Sequence, residues 1–270
     1  MGRQEQTNHL FSNRDLRILL VPLIVEQILN SLMGTADSIM VSNVGSAAIS
    51  AVSLVDSINI LVIQAFYALA AGGTIVCSQY IGQKDKKNAE ESARQLSFVV
   101  ACISSAVMAV CLLTRGPLLR LIFGSVEADV MEAAQTYFFY TALSFPFIAL
   151  YDAGSSIYRA QGNTRLPMTI AVVSNGLNIA GNAVLIWGFH LGVAGAAIAT
   201  CLGYCVPSIV GLVYFTKNRT GSLYFVPFKF DGATLAAACG NGSSEMVSNI
   251  ANAITTFVFN TLFMRYRGED

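Results

Sequence analysis

Seven stretches of this chain stay apolar for about twenty residues or more, and a chain built that way has to place most of its length in lipid. The runs lie near Leu16–Val44, Ala51–Tyr80, Leu96–Thr114, Ala133–Tyr158, Pro167–Phe189, Gly195–Phe215 and Cys239–Met264. At 1.5 Å of rise per residue, about twenty residues in a helix cover the roughly 30 Å hydrocarbon core. Only 12% of the 270 residues are charged, against roughly 25% in soluble domains. A soluble domain of this length has too little interior to cover such segments on every side. The ten-residue alternation of a membrane β-barrel is absent, so the fold class expected is all-α and polytopic.

Between the runs lie breaker clusters: Gly82-Gln83-Lys84-Asp85, Gly116-Pro117, Gly162-Asn163-Thr164 and Asn218-Arg219-Thr220-Gly221. Lys and Arg divide unevenly between the two sides. Arg3, Arg14, Arg17, Lys84, Lys86, Lys87, Arg94, Arg159, Arg165, Lys217, Arg219 and Lys229 share one side, and only Arg115, Arg120, Arg265 and Arg267 fall on the other. The positive-inside rule then puts the N-terminus in the cytoplasm. Seven spans leave the C-terminal Arg265–Asp270 outside, directly after an apolar run, which suggests a chain that stops early in a second half. A short echo agrees: Glu26 and Asn30 in the first span are matched by Glu245 and Asn249 in the seventh.

Several function classes drop out. The formal net charge is zero, so no global field favours nucleic acid. Six cysteines stand singly in apolar or small-residue stretches and read as small hydrophobes. The first apolar run is too long for a signal-peptide core, so no cleaved leader is expected. No phosphate-binding loop, dinucleotide fingerprint, zinc spacing or HExxH motif is present, so neither direct ATP use nor an enzyme activity is supported.

The chemistry sits in polar residues inside the apolar runs. Asp37 lies deep in the first run, where a charge costs roughly 2.5–3.5 kcal/mol on insertion scales and so faces a cavity, a partner or an ion. In the fifth run Asn175, Asn178 and Asn182 recur at i, i+3 and i+7, placing three amides on one helical face. Two readings fit them: hydrogen bonds between helices, or carbonyl oxygens lining a cation site. Gly192, Gly195, Ala196, Ala199 and Gly203 let the sixth helix approach its neighbours closely, with Thr200 turned inward or bonded back to its own helix. Asp56 reads as an exposed acid near a helix start. Asp152 is either paired with Arg159 one turn away or functional. Glu245 is either a first-turn acid near the interface or part of a second cation or substrate site. Glu26, Asn30 and Asp152 are the residues assigned to the wall of a substrate cavity. His190, in a short turn after Trp187, receives no role.

These motifs together resemble the multidrug and toxic compound extrusion (MATE) family. The resemblance rests on Pro22, Glu26-Gln27, Met33-Gly34, Asp37 and Val41-Ser42-Asn43-Val44-Gly45 in the first span. It continues through Gly82-Gln83 with Ala89, Pro146, Arg159–Thr164 with Pro167, Asn178-Ile179, Ile186 and Gly192–Thr200. It implies twelve helices in two six-helix lobes, and export of cationic or amphipathic small molecules by exchange for sodium or protons, with no other cofactor. The divisions that follow are a cytoplasmic segment 1–15, a six-helix N-lobe 16–216, an inter-lobe loop 217–238, and the first helix of an otherwise missing C-lobe, 239–270. The family's N-lobe cation site maps onto Asp37, Asn178, Asn182 and Thr200. Asn182 replaces the family's second acid, and Ala183 stands where many relatives have Pro, which removes an expected kink. The expected setting is the plasma membrane. Two alternatives are a lipid-linked oligosaccharide flippase of the wider superfamily and a non-transporting half-protein.

Overall fold

The computed structural model describes the backbone of residues 13–124 and 126–217, their side chains except at 13, 15, 30 and 211–217, and five isolated positions from Gly232 to Ser248. The segment before residue 13, the loop beyond 217, the seventh span, Glu245 and the Asn30 side chain lie outside the described residues.

The described residues form seven α-helices, with no strand among them. In chain order these are α1 (Asn13–Ser42), α2 (Ser46–Gly82), α3 (Lys86–Phe123), α4 (Ala128–Leu143), α5 (Phe145–Ala160), α6 (Arg165–Asn182) and α7 (Gly192–Lys217), with a π-helical turn Ala183–Gly188 after α6. Five of the expected spans are helices long and apolar enough to cross a bilayer, and α4 and α5 meet at Ser144 to make the sixth.

Several sequence boundaries are corrected. The second and third spans are much longer than their apolar cores: α2 and α3 have 37 and 38 residues, about 56 Å each at helical rise. Their polar ends therefore project past the hydrocarbon. Gly116-Pro117 does not end the third span, because the helix runs through Pro117 to Phe123. The α3 N-terminus is capped by Asp85, whose carboxylate accepts from the Asn88 backbone N–H at 3.2 Å and from its side-chain amide at 2.7 Å. The fourth span is two helices. Pro146 has no N–H for the Ala142 carbonyl, and the Ser144 N–H and hydroxyl instead reach the Thr141 carbonyl at 3.1 and 2.6 Å.

Two further prolines lie inside spans, and each frees a carbonyl four residues earlier. In α1, Pro22 frees Ile18, and the Thr164 hydroxyl donates to that carbonyl at 3.3 Å. In α7, Pro207 frees Gly203, and the Ser174 hydroxyl on α6 donates to it. Lipid offers no substitute partner, so these hydroxyls both satisfy the backbone and fix which helices pair. Closeness is set by small residues: a Cβ on Gly203 would lie 3.1 Å from Asn178 Cβ and 3.3 Å from the Ser174 carbonyl.

At Ala183, where many relatives have Pro, the span passes into the π-helical turn. The fifth span widens there: the Phe189 N–H reaches back to Val184 and the Leu191 N–H to Leu185, both at 3.0 Å. Helix α6 packs on α1 and α7, while α2 packs on α3, α4 and α5. The core between them holds Phe66 edge-on to Phe145 at 6.0 Å. On the outside, Leu113 and Leu121 are 85% and 84% exposed, as suits side chains that meet lipid.

Candidate functional site

Where α1, α6 and α7 meet, four side chains from these spans form one hydrogen-bonded cluster. Asp37 is 8% exposed, and Asn178 and Asn182 are fully buried. The Asn182 side-chain amide donates to Asp37 Oδ1 at 2.5 Å and to Asn178 Oδ1 at 3.3 Å. The Asn178 amide donates to Thr200 Oγ1 at 3.3 Å, and Asn178 and Thr200 both lie within interaction reach of the Asp37 carboxylate. The sequence spacing of α6 explains two of these positions, since residues 178 and 182 stand one turn apart on the same face. Asn175, the third amide of that face, bonds back to its own helix at the Ala171 carbonyl, 2.8 Å away, and takes no part.

Asn182 Oδ1 is buried and has no hydrogen-bond partner among the described residues. An orphaned carbonyl oxygen beside a carboxylate, a second amide oxygen and a hydroxyl is a set of hard oxygen donors, the kind that suits a monovalent inorganic cation or a proton on Asp37. The residues therefore fit the coupling ion that the resemblance implies. Asp37 and Thr200 also line a cavity of about 310 Å³, together with Met33, Asp56, Asn59, Ile60, Tyr137, Phe145 and Tyr204.

Glu26 and Asp152, expected in a substrate cavity, do not line this one. Glu26 is 1% exposed and is ion-paired with Arg159 Nη2 at 2.5 Å, so Glu26 rather than Asp152 takes that cation. The Tyr151 hydroxyl lies 3.3 Å from Glu26 Oε1 and 3.5 Å from the Pro167 carbonyl. The cluster ties α1 to α5 and the start of α6. It is a fastening between helices, with Glu26 Oε2 and Asp152 Oδ2 buried and without hydrogen bonds among the described residues.

Sequence reasoning missed Asp56. It is not an exposed acid at a helix start: α2 begins at Ser46, so Asp56 sits in the eleventh position, half-buried on the cavity wall. The signal that could have found it is its spacing of three from Asn59 inside an apolar run, which puts both on one helical face.

Five helices long and apolar enough to cross a bilayer, some broken or carrying proline, around a buried polar cluster define a multi-pass helical membrane protein. Residues 22–184 match the MatE family, and the chain belongs to it. It is 33% identical over 218 residues to the uncharacterized transporter YisQ of Bacillus subtilis, covering 79% of this chain and 46% of that protein. It is 28% identical over 214 residues to the probable multidrug resistance protein NorM of Thermotoga maritima, covering 76% of this chain and 45% of that protein. The fold matches an outward-facing multidrug resistance MATE family transporter of the MOP superfamily, with a TM-score of 0.84 at 23% identity over 92% of this chain and 55% of that one. A MOP superfamily transporter from Pyrococcus furiosus superposes equally well, at 0.84. The chain spans about half the length of the curated relatives it matches.

Proposed function

We propose that this chain forms the N-terminal lobe of a cation-coupled antiporter that exports cationic or amphipathic small molecules by alternating access. The reading is supported above all by one observation: a buried Asp37, held by Asn182, opens on a cavity with no Lys, Arg or His among the described residues of its wall. In this reading sodium or a proton neutralises Asp37 and is held by Asn178, Asn182 and Thr200, and its arrival lowers affinity for the cationic substrate. An ion shifts such an equilibrium only as far as its affinities for the two states differ. Asp37 couples α1 to α6, so its neutralisation acts directly on the packing between them.

The same lack of fixed positive charge argues against flipping of an anionic lipid-linked oligosaccharide. The Lys and Arg excess on one side supports a plasma-membrane protein with its N-terminus in the cytoplasm. Any role for Glu245 would be exercised with a second lobe, as the length of the relatives suggests.

Ethidium efflux tests the proposal, measured with and without a sodium gradient in cells carrying this chain and, in parallel, any longer reading frame that contains it. Asp37→Asn is expected to abolish ion-linked efflux in whichever form is active. Unimpaired efflux in that variant would overturn the reading, and the gradient dependence names the ion.

A further inference from the structure

The cavity holds a second carboxylate that the Asp37 cluster does not use. Asp56 and Asn59 project from α2 into the same space that Asp37 and Thr200 line from α1 and α7. Asn59 donates its amide to Asp56 Oδ1 at 3.5 Å. Its carbonyl oxygen is buried with no partner among the described residues, on a residue only 7% exposed. Tyr137 on α4, 2% exposed, brings its hydroxyl within interaction reach of Asp56. Three oxygen-bearing side chains from two helices thus line the same cavity, with Asp56 in reach of the other two, and the Asn59 carbonyl oxygen has its hydrogen-bonding capacity unmet.

Charge sharpens the argument. Asp37 and Asp56 are close enough to feel one another electrostatically. Among the described residues no Lys, Arg or His lines the cavity, so no fixed cation on its wall balances the two carboxylates. Asn182 stands where the resemblance places a second acid, which leaves the Asp37 cluster with one formal negative charge. We infer that Asp56 and Asn59, with Tyr137, form a second position for a hard monovalent cation, sodium, so that the cavity binds two sodium ions: one at Asp37 and one at Asp56. The second negative charge of this lobe is thereby supplied by α2 instead of α6. The first of these positions rests on the proposed function above, and the second stands on its own geometry.

Equilibrium binding of radioactive sodium to the purified protein in detergent, using whichever form was active in the efflux assay, reads the stoichiometry directly. Wild type is expected to bind two sodium ions per chain, and Asp56→Asn and Asp37→Asn one each. Asp56→Glu keeps two, which separates loss of the carboxylate from loss of fold, and a size-exclusion profile checks assembly. Asn59→Leu weakens one of the two ions by about tenfold and leaves the other unchanged. No sodium bound by wild type, or a stoichiometry that Asp56→Asn leaves unaltered, overturns the inference, whereas a single ion that Asp56→Asn removes keeps the second position and overturns the first. If Asp56→Asn keeps its sodium but loses ethidium binding, Asp56 anchors an organic cation and the inference also fails. An Asp37→Asn protein that binds as many ions as wild type counts against the proposed function alone.

Discussion

The Asn182 amide donates to Asp37 Oδ1 across 145 residues of sequence, at 2.5 Å, and so joins α6 to α1 through two buried side chains beside the cavity. A carboxylate so placed depends on that donor. Asn182→Leu is expected to destabilise the bundle by about 1–3 kcal/mol, the cost of leaving a buried acceptor unmet. It is also expected to abolish the cation binding proposed at Asp37. Asn182→Asp creates a second acid there and is expected to tighten cation binding. Thermal unfolding in detergent and sodium titration of both variants check the pair.

The Glu26–Arg159 ion pair predicts an asymmetric mutational pattern. Arg159→Met alone leaves a buried carboxylate without its cation and is expected to cost about 3–5 kcal/mol. The double variant Glu26→Gln with Arg159→Met is expected to recover most of that loss, because the uncompensated charge has gone. Denaturation of the single and double variants in mixed micelles measures the recovery. Equal instability of both would show that the pair is not what fastens α1 to α5.

Ser174 and Pro207 should be coupled although they do not bond to each other. Ser174→Ala strands the Gly203 carbonyl that Pro207 cannot satisfy, at an expected cost of about 0.6–2 kcal/mol. Adding Pro207→Ala gives α7 back an N–H for that carbonyl, so the serine hydroxyl is no longer needed. A double-mutant cycle is expected to show about 0.5–2 kcal/mol of coupling, and strict additivity would contradict the assignment.

Gly203→Ala tests how tightly the site is held by close helix approach. The added methyl meets Asn178 Cβ at 3.1 Å and a helix backbone at 3.3 Å, neither of which yields easily. A stability loss of about 1–3 kcal/mol is expected, with weaker sodium binding because Asn178 is displaced. Retained affinity at unchanged stability would show that α6 and α7 have room to separate.

Side of exposure can be read by labelling. In a cysteine-free background, Lys84→Cys lies in the loop between α2 and α3, and Asn43→Cys between α1 and α2. An impermeant maleimide added to intact cells is expected to label Asn43→Cys and to reach Lys84→Cys only after permeabilisation. The reverse pattern would invert the proposed orientation.

Much of the candidate site is legible in the sequence, for a local reason. Asp37, Asn178, Asn182 and Thr200 are polar residues in apolar runs, and the MATE resemblance alone is enough to group them. Asp56 is easily misread because its meaning depends on where α2 starts. The turn at Gly45, with φ of 144°, moves that start five residues ahead of the apolar core, turning a supposed terminal acid into one deep in a span. The partner of Arg159 is misread for the opposite reason. Asp152 is near in sequence, whereas Glu26 lies 133 residues away and no local pattern connects them.

The sequence by itself determined that this chain is helical, crosses a membrane repeatedly and carries costly polar groups within its spans, because hydropathy and helical periodicity are properties of neighbours along the chain. Beyond the four residues that the resemblance groups, only the tertiary structure decided which polar groups meet. It alone brought Asp56 into the cavity of Asp37 and gave Glu26 to Arg159. It alone sent the hydroxyls of Thr164 and Ser174 to carbonyls that prolines had freed. In lipid every helix presents much the same apolar surface, so partners are chosen by close packing of small residues and by unmet hydrogen bonds. Those depend on where helices lie in space, which spacing along a chain does not encode.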